Sequence, residues 1–251
     1  MARSHIIVEA EGDKFTFEAI IRHIKLQDKL SVNAIPSILT DIEWSLISKE
    51  KDYPRSLIKG LKDLISDITS NKYDKIAIIR DLDLDSKQDM LTVVNKALSE
   101  AYAHYNIKEI DDVNKLVPFT FSQYDTEEPV TVQFACYFVH QVNDKGMAKG
   151  EMEDILKAIK AKPSPIADCV DKHLPECLNI NNEDELREKD LVKLWINNYQ
   201  RYDTLSRKIL KNHSQQATTK YIMENRPEIY DFDKDLPEFN ELKAFLKMMS
   251  E

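Results

Sequence analysis

Lys75-Ile76-Ala77-Ile78-Ile79-Arg80-Asp81-Leu82-Asp83 is the stretch that decides the fold. Residues 76–79 form an unbroken apolar run, too short for a buried helix and rich in β-branched isoleucine. Such a run reads as a central strand covered on both faces, the kind found in parallel sheets. It stops abruptly at Asp81-Leu82-Asp83-Leu84-Asp85.

Moving outward, Leu57, Ile58, Leu61, Leu64, Ile65 and Ile68 form an amphipathic helical stripe after Pro54, which suits a first helical position. Further upstream, Ile6-Ile7-Val8 reads as a second buried strand, and apolar spacing predicts a helix from Asp13 to about Leu30. Ser31 to Ile35 is a third strand, ended by Pro36. Downstream, Leu91, Val94, Leu98, Ala101 and Tyr102 share a helical face. Val130 to Val139 is the longest β-like run, and Lys149 to Ile159 reads as a helix with Met152, Leu156 and Ile159 inward. Beyond Lys162 the pattern is helical, over 166–178, 191–209 and 236–249. Strands that alternate with helices make βαβ units, so the fold class is α/β: a mainly parallel sheet flanked by helices, with a helical C-terminal extension. The expected division is an α/β domain over 1–160 and a helical extension packed on it over 161–251.

The 251 residues, 42% apolar, are enough for a sizeable core. A formal net charge of −9 excludes a basic footprint for duplex nucleic acid over the whole chain, though a bound cation can supply positive charge locally. Only 4 glycines are present, which argues against a glycine-loop phosphate binder. The three cysteines, Cys136, Cys169 and Cys177, show no CxxC pair, as expected for bystander thiols in a reducing cytoplasm. No apolar segment approaches the roughly 20 residues of a membrane span, and no secretory signal is read at the start. A cytoplasmic protein without a membrane partner is the expectation. The six histidines lack metal-site spacing, and Trp195 and Tyr221 fall in helical patterns as packing residues.

Ligands of open parallel sheets bind beyond the carboxyl ends of the strands. Two acidic clusters fall there: Glu9-Ala10-Glu11-Gly12-Asp13, and Asp81-Leu82-Asp83-Leu84-Asp85. Carboxylates gathered at one point repel each other unless a cation or shared protons offset the repulsion. A hard divalent ion with oxygen ligands, Mg²⁺ or Mn²⁺, is the natural solution. Asp81 and Asp83 are two apart and point to one side if the pleat continues. Glu9 and Asp13 are four apart across a strand-to-helix turn, although Asp13 also has a plain use as a helix cap. Asp85 and Ser86 are read mainly as caps of the following helix. An EF-hand is discounted, because Ser86 stands at the glycine position and Thr92 at the glutamate position.

A strand-end Glu with a nearby acid, followed by a hydrophobic strand ending in Asp-x-Asp, resembles the Toprim pattern over roughly residues 5–105. Gly150-Glu151-Met152-Glu153-Asp154-Ile155-Leu156, and the tail around Tyr230-Asp231-Phe232 and Pro237-Glu238-Phe239, are similar to stand-alone bacterial Toprim-like proteins of unassigned activity. These are related to the overcoming-lysogenization-defect nucleases. Toprim domains also occur in topoisomerases, primases and recombination mediators. The resemblance implies Mg²⁺-dependent phosphodiester chemistry. Glu9 and Asp13 would be catalytic, and Glu9, Asp13, Asp81, Asp83 and Glu153 would be metal ligands. Glu151, Glu153 and Asp154 also have a plain reading as a solvated helix start. Ala10 stands where that pattern usually has Gly. The implied partner is nucleic acid reached through the metal. The alternative is a non-catalytic binding module acting with a partner protein such as an ATPase.

Overall fold

The computed structural model describes residues 3–35, 54–82, 86–105, 107–122, 129–142, 148–179, 188–212 and 214–251. Its centre is a five-stranded sheet built from β1 (Ser4–Val8), β2 (Leu30–Ala34), β3 (Lys75–Asp81), β4 (Val117–Phe121) and β5 (Val130–Val139), in the order β2-β1-β3-β5-β4. The first four strands of that order run parallel, and β4 lies antiparallel on the β5 edge. The expected α/β class is the one observed.

Strand alternation divides the core into two layers. Ile6, Val8, Ala77, Ile79, Ala135, Tyr137 and Val139 face one side. There they meet α1 (Glu11–His23), α5 (Met152–Ala158), α7 (Glu188–Asn198), α9 (Gln215–Asn225) and α10 (Pro237–Ser250). Ile7, Ile76, Ile78, Phe134, Cys136 and Phe138 face the other side, against α2 (Arg55–Asp63), α3 (Ile65–Thr69) and α4 (Lys87–Ala101). Ile6, Ile76 and Ile78 are fully buried. Each such side chain contributes roughly 1.5–3 kcal/mol relative to exposure. The C-terminal helices α6 (Pro165–Asn179), α7, α9 and α10 thus bury residues in the same apolar cluster as α1 and β1.

Several boundaries differ from the sequence reading. The first helix ends at His23, not near Leu30, because Lys25 takes a left-handed conformation with φ of 60°. The Leu26 N–H donates to Ile21 O and the Lys25 N–H to Arg22 O, which closes the helix as a Schellman motif. A lysine there gave no glycine signal to read. The stripe from Leu57 to Ile68 is two helices broken at Leu64. Strand β4 is an addition to the sequence reading: its burial alternates regularly with Pro118 facing outward, but a proline argues against a strand, and only at a sheet edge is the missing N–H tolerated. The 191–209 segment becomes α7, a π-helical turn (Tyr199–Asp203) and α8 (Arg207–Leu210).

Candidate metal centre

The parallel register sets one end of the sheet. Ile7 pairs with Ile78, and Asp81 with Val139, so the carboxyl ends of β1, β3 and β5 lie side by side. Continuing the β1–β3 register puts Glu9 next to Arg80. The Arg80 guanidinium accordingly grips Glu9, donating from Nε to Oε1 at 2.9 Å and from Nη2 to the same oxygen. The Asp81 N–H also points to Glu9 Oε2, at 3.4 Å. Glu9 therefore already holds a cation, a partner that the sequence reading did not assign.

Asp13 opens α1. Its carboxylate accepts the Ala10 N–H at 3.0 Å, so it does act as a helix cap. It also feels other acids. Burial, then Glu153 and Glu9, push its carboxyl up to about 7, against smaller opposing effects of the Ala10 N–H and Lys193. Asp81 is raised well above the usual carboxylate range by burial, followed by the charges of Asp13, Glu9, Glu153 and Glu151. Four of the acids singled out from the sequence, Glu9, Asp13, Asp81 and Glu153, thus share one electrostatic neighbourhood. Asp83 lies outside the described residues, as does Asp85. Ser86 caps α4, its hydroxyl accepting the Asp89 N–H at 3.1 Å.

The third strand end contributes through an excursion. After β5 the chain forms a hairpin of β6 (Gln141–Val142) and β7 (Ala148–Lys149), with Gln141 paired to Lys149. That pairing returns the chain to the edge from which it left. Gly150 then turns with φ of +127°, and α5 begins beside β3. The Met152 N–H donates to Asp81 Oδ1 at 3.0 Å. Glu151, read from the sequence only as part of a solvated helix start, is 2% exposed. Its N–H donates to Asp154 Oδ2 at 2.8 Å, and its carboxylate meets Lys193 Nζ of α7 at 2.8 Å. The available signal was Gly150, one of four glycines in the chain, directly before Glu-x-Glu.

Carboxylate oxygens from Asp81, Glu151 and Glu153 lie within 4.8 Å of one another. Oxygens on opposite sides of a Mg²⁺ octahedron are roughly 4.2 Å apart, twice the ion–oxygen distance. The three oxygens are thus near enough for one such ion to draw them into its coordination shell. Its donor set is entirely carboxylate oxygen, the chemistry of a hard divalent cation rather than of a thiolate or imidazole metal. Among the described residues, Glu9, Asp13, Asp81, Glu151 and Glu153 share the site with two cations, Arg80 and Lys193. The residues present fit a hard divalent cation.

No protein-family model matches the chain, and no curated protein matches it. Two solved structures are similar along its length. One is a hypothetical protein from Pyrococcus horikoshii OT3, 14% identical, covering 99% of this chain and 99% of that one, with a TM-score of 0.49. The other is the C-terminal region of the Xanthomonas campestris pv. campestris OLD protein, 11% identical, covering 99% of this chain and 96% of that one, with a TM-score of 0.37. No helix among the described residues is long and apolar enough to cross a membrane.

Proposed function

We propose that this chain is a Mg²⁺- or Mn²⁺-dependent phosphodiester-acting enzyme, a nuclease, built on a Toprim-like unit over 1–160 with the helices of 161–251 packed on it, and acting in the cytoplasm. The observation that carries this reading is the convergence of Asp81, Glu151 and Glu153 oxygens at the carboxyl ends of parallel strands. Asp81 and Glu153 would hold the ion with Glu151 and Asp83, and a bound divalent ion would neutralise charge on a phosphodiester and lower the pKa of water. Asp13, pushed up to about 7, can hold or give up a proton at neutral pH and is the acid–base candidate. Glu9, held by Arg80, would orient the guanidinium at the rim and keep the ends of β1 and β3 together. Nucleic acid would approach through the cation, since the chain's own net charge repels it.

The test is cleavage of plasmid DNA and of RNA by the purified chain with Mg²⁺ or Mn²⁺, and with chelator. Cleavage that requires the ion, and is lost in both Asp81→Asn and Glu153→Gln, supports the reading. Equal cleavage by wild type and both variants removes it. One observation favours a second reading, a non-catalytic module for a partner such as an ATPase: Glu9 is already paired with Arg80. Metal binding without cleavage, together with co-purification of an ATPase, would favour that module.

A further inference from the structure

Glu151 and Glu153 project from the start of α5, but they meet different surroundings. Glu153 is partly buried. The Glu151 side chain is 3% exposed, yet it carries a carboxylate. A buried carboxylate requires a cation or a proton, because desolvation disfavours the charge. The cation is Lys193, whose Nζ lies 2.8 Å from Glu151 Oε2. Lys193 differs from its partner in that its own side chain is 47% exposed. Nearly half of its side-chain surface meets water, so the ammonium has solvent within its reach.

The same ammonium feels the rest of the cluster. Burial alone would lower its pKa, but the hydrogen bond to Glu151 and the charges of Glu153, Glu151 and Asp81 outweigh burial and hold it above its ordinary value. Those three acids are the ones whose oxygens converge within 4.8 Å. A divalent ion among them would sit a few ångströms from Lys193, and two cations cannot both press against one buried carboxylate without repulsion. Arg80 is not in this position, since it holds Glu9 with two donors and its own side chain is 16% exposed.

We propose that Lys193 is a displaceable internal counter-ion that sets the cation affinity of the centre: it occupies Glu151 until a divalent ion arrives, then swings into solvent. The inference rests on the metal reading given above. It adds that α7, a helix distant in sequence from the acids, regulates how readily they load. A half-exposed ammonium on a buried carboxylate is worth enough to weaken ion binding by about tenfold.

The experiment measures Mn²⁺ binding by the loss of the free-ion electron paramagnetic resonance signal, together with thermal melts with and without Mn²⁺. It uses the full chain as wild type, Lys193→Met, Lys193→Gln, Glu151→Gln and the Glu151→Gln/Lys193→Met double variant. Both neutral Lys193 variants are expected to bind Mn²⁺ about tenfold tighter than wild type. Without the ion they melt lower than wild type, and at saturating Mn²⁺ the midpoints converge. Unchanged or weaker Mn²⁺ binding in both variants overturns the proposal. So does a melting deficit that persists at saturating Mn²⁺, since Lys193 would then stay in place. The double variant reads the ion pair without any metal. If the pair couples in the metal-free melts but no variant takes up Mn²⁺, the metal reading has failed and displacement falls with it. If Mn²⁺ binds but the pair shows no coupling, displacement alone has failed.

Discussion

The two ends of the central sheet are made by the same strands and treated in opposite ways. At the amino end Arg3, Ser4, His5 and Lys75 each have a neighbour to match them. Ser4 Oγ donates to Met249 O at 2.6 Å and Lys75 Nζ to Met248 O at 2.9 Å, which fastens α10 across β1 and β3. His5 is buried, stacks on Tyr73 at 4.7 Å and shares a hydrogen bond with Ser31 Oγ at 2.9 Å. Arg3 pairs with Asp74. At the carboxyl end Glu9, Asp13, Asp81, Glu151 and Glu153 lie about Arg80 and Lys193, so acids outnumber cations among the described residues. Local balance of charge and hydrogen bonds marks an end that holds the fold together. The unbalanced end gives up stability, and in parallel sheets that is the end where ligands bind.

The largest expected effect breaks this contrast from the acidic side. Asp81→Asn and Glu153→Gln should each lower ion-dependent cleavage by roughly a hundredfold or more while leaving the melting midpoint the same or higher, since each puts a neutral amide in place of a crowded carboxyl. Activity assays beside calorimetry on the same samples check this; a large loss of stability would make these residues structural.

The next effect is on pH. The folded-state pKa of Asp13 is raised from the ordinary 3.8 to about 7, so its contribution to stability is complete below the ordinary value and is lost as pH climbs towards 7. Its full size is about 4 kcal/mol at most. His5 runs the other way. Burial, with a smaller contribution from Lys72, depresses it from 6.5 to about 4, so its contribution is present above 6.5 and lost as pH falls through 4. The slopes oppose one another up to about pH 6.5, and above that Asp13 acts without His5. Metal-free wild type should therefore melt lower at pH 8 than at pH 6.5, Asp13→Asn should show a smaller drop, and saturating Mn²⁺ should recover the wild-type loss at pH 8. A flat wild-type profile would contradict the assignment.

Smaller effects belong to the amino end. Ser4→Ala should cost about 1 kcal/mol by denaturant titration, through the loss of one buried hydrogen bond, without altering Mn²⁺ affinity. Asp74→Asn should leave both stability and ion binding unchanged, because the Arg3–Asp74 pair is about half exposed on each side. A change in Mn²⁺ affinity from either variant would mean that the two ends are coupled.

The sequence made the sheet legible where burial is symmetrical. Ile76 to Ile79 and Phe134 to Val139 are covered on both faces, and continuous apolar runs announce that directly. Acids at strand ends were legible for the same reason, since Glu9 and Asp81 interrupt such runs. Their counter-ions were not. Arg80 reaches Glu9 through a register between strands about 70 residues apart, and Lys193 reaches Glu151 from a separate helix. Nothing local distinguishes these two from other charged residues of the chain. Glu151 differs from its sequence reading because acids are favoured at any helix start, whether solvated or buried, and its burial comes from the fold around it.

Gly150 gives the acidic edge an unexpected point of adjustment. A Cβ built there would come 2.7 Å from Asp154 Oδ2, the atom that receives the Glu151 N–H, and its φ of +127° suits few residues with a side chain. Any replacement must move Asp154 Oδ2, which holds the Glu151 N–H, and strain the backbone just before Glu151. An edge made of charged side chains thus depends for its approach on the one residue type that has none.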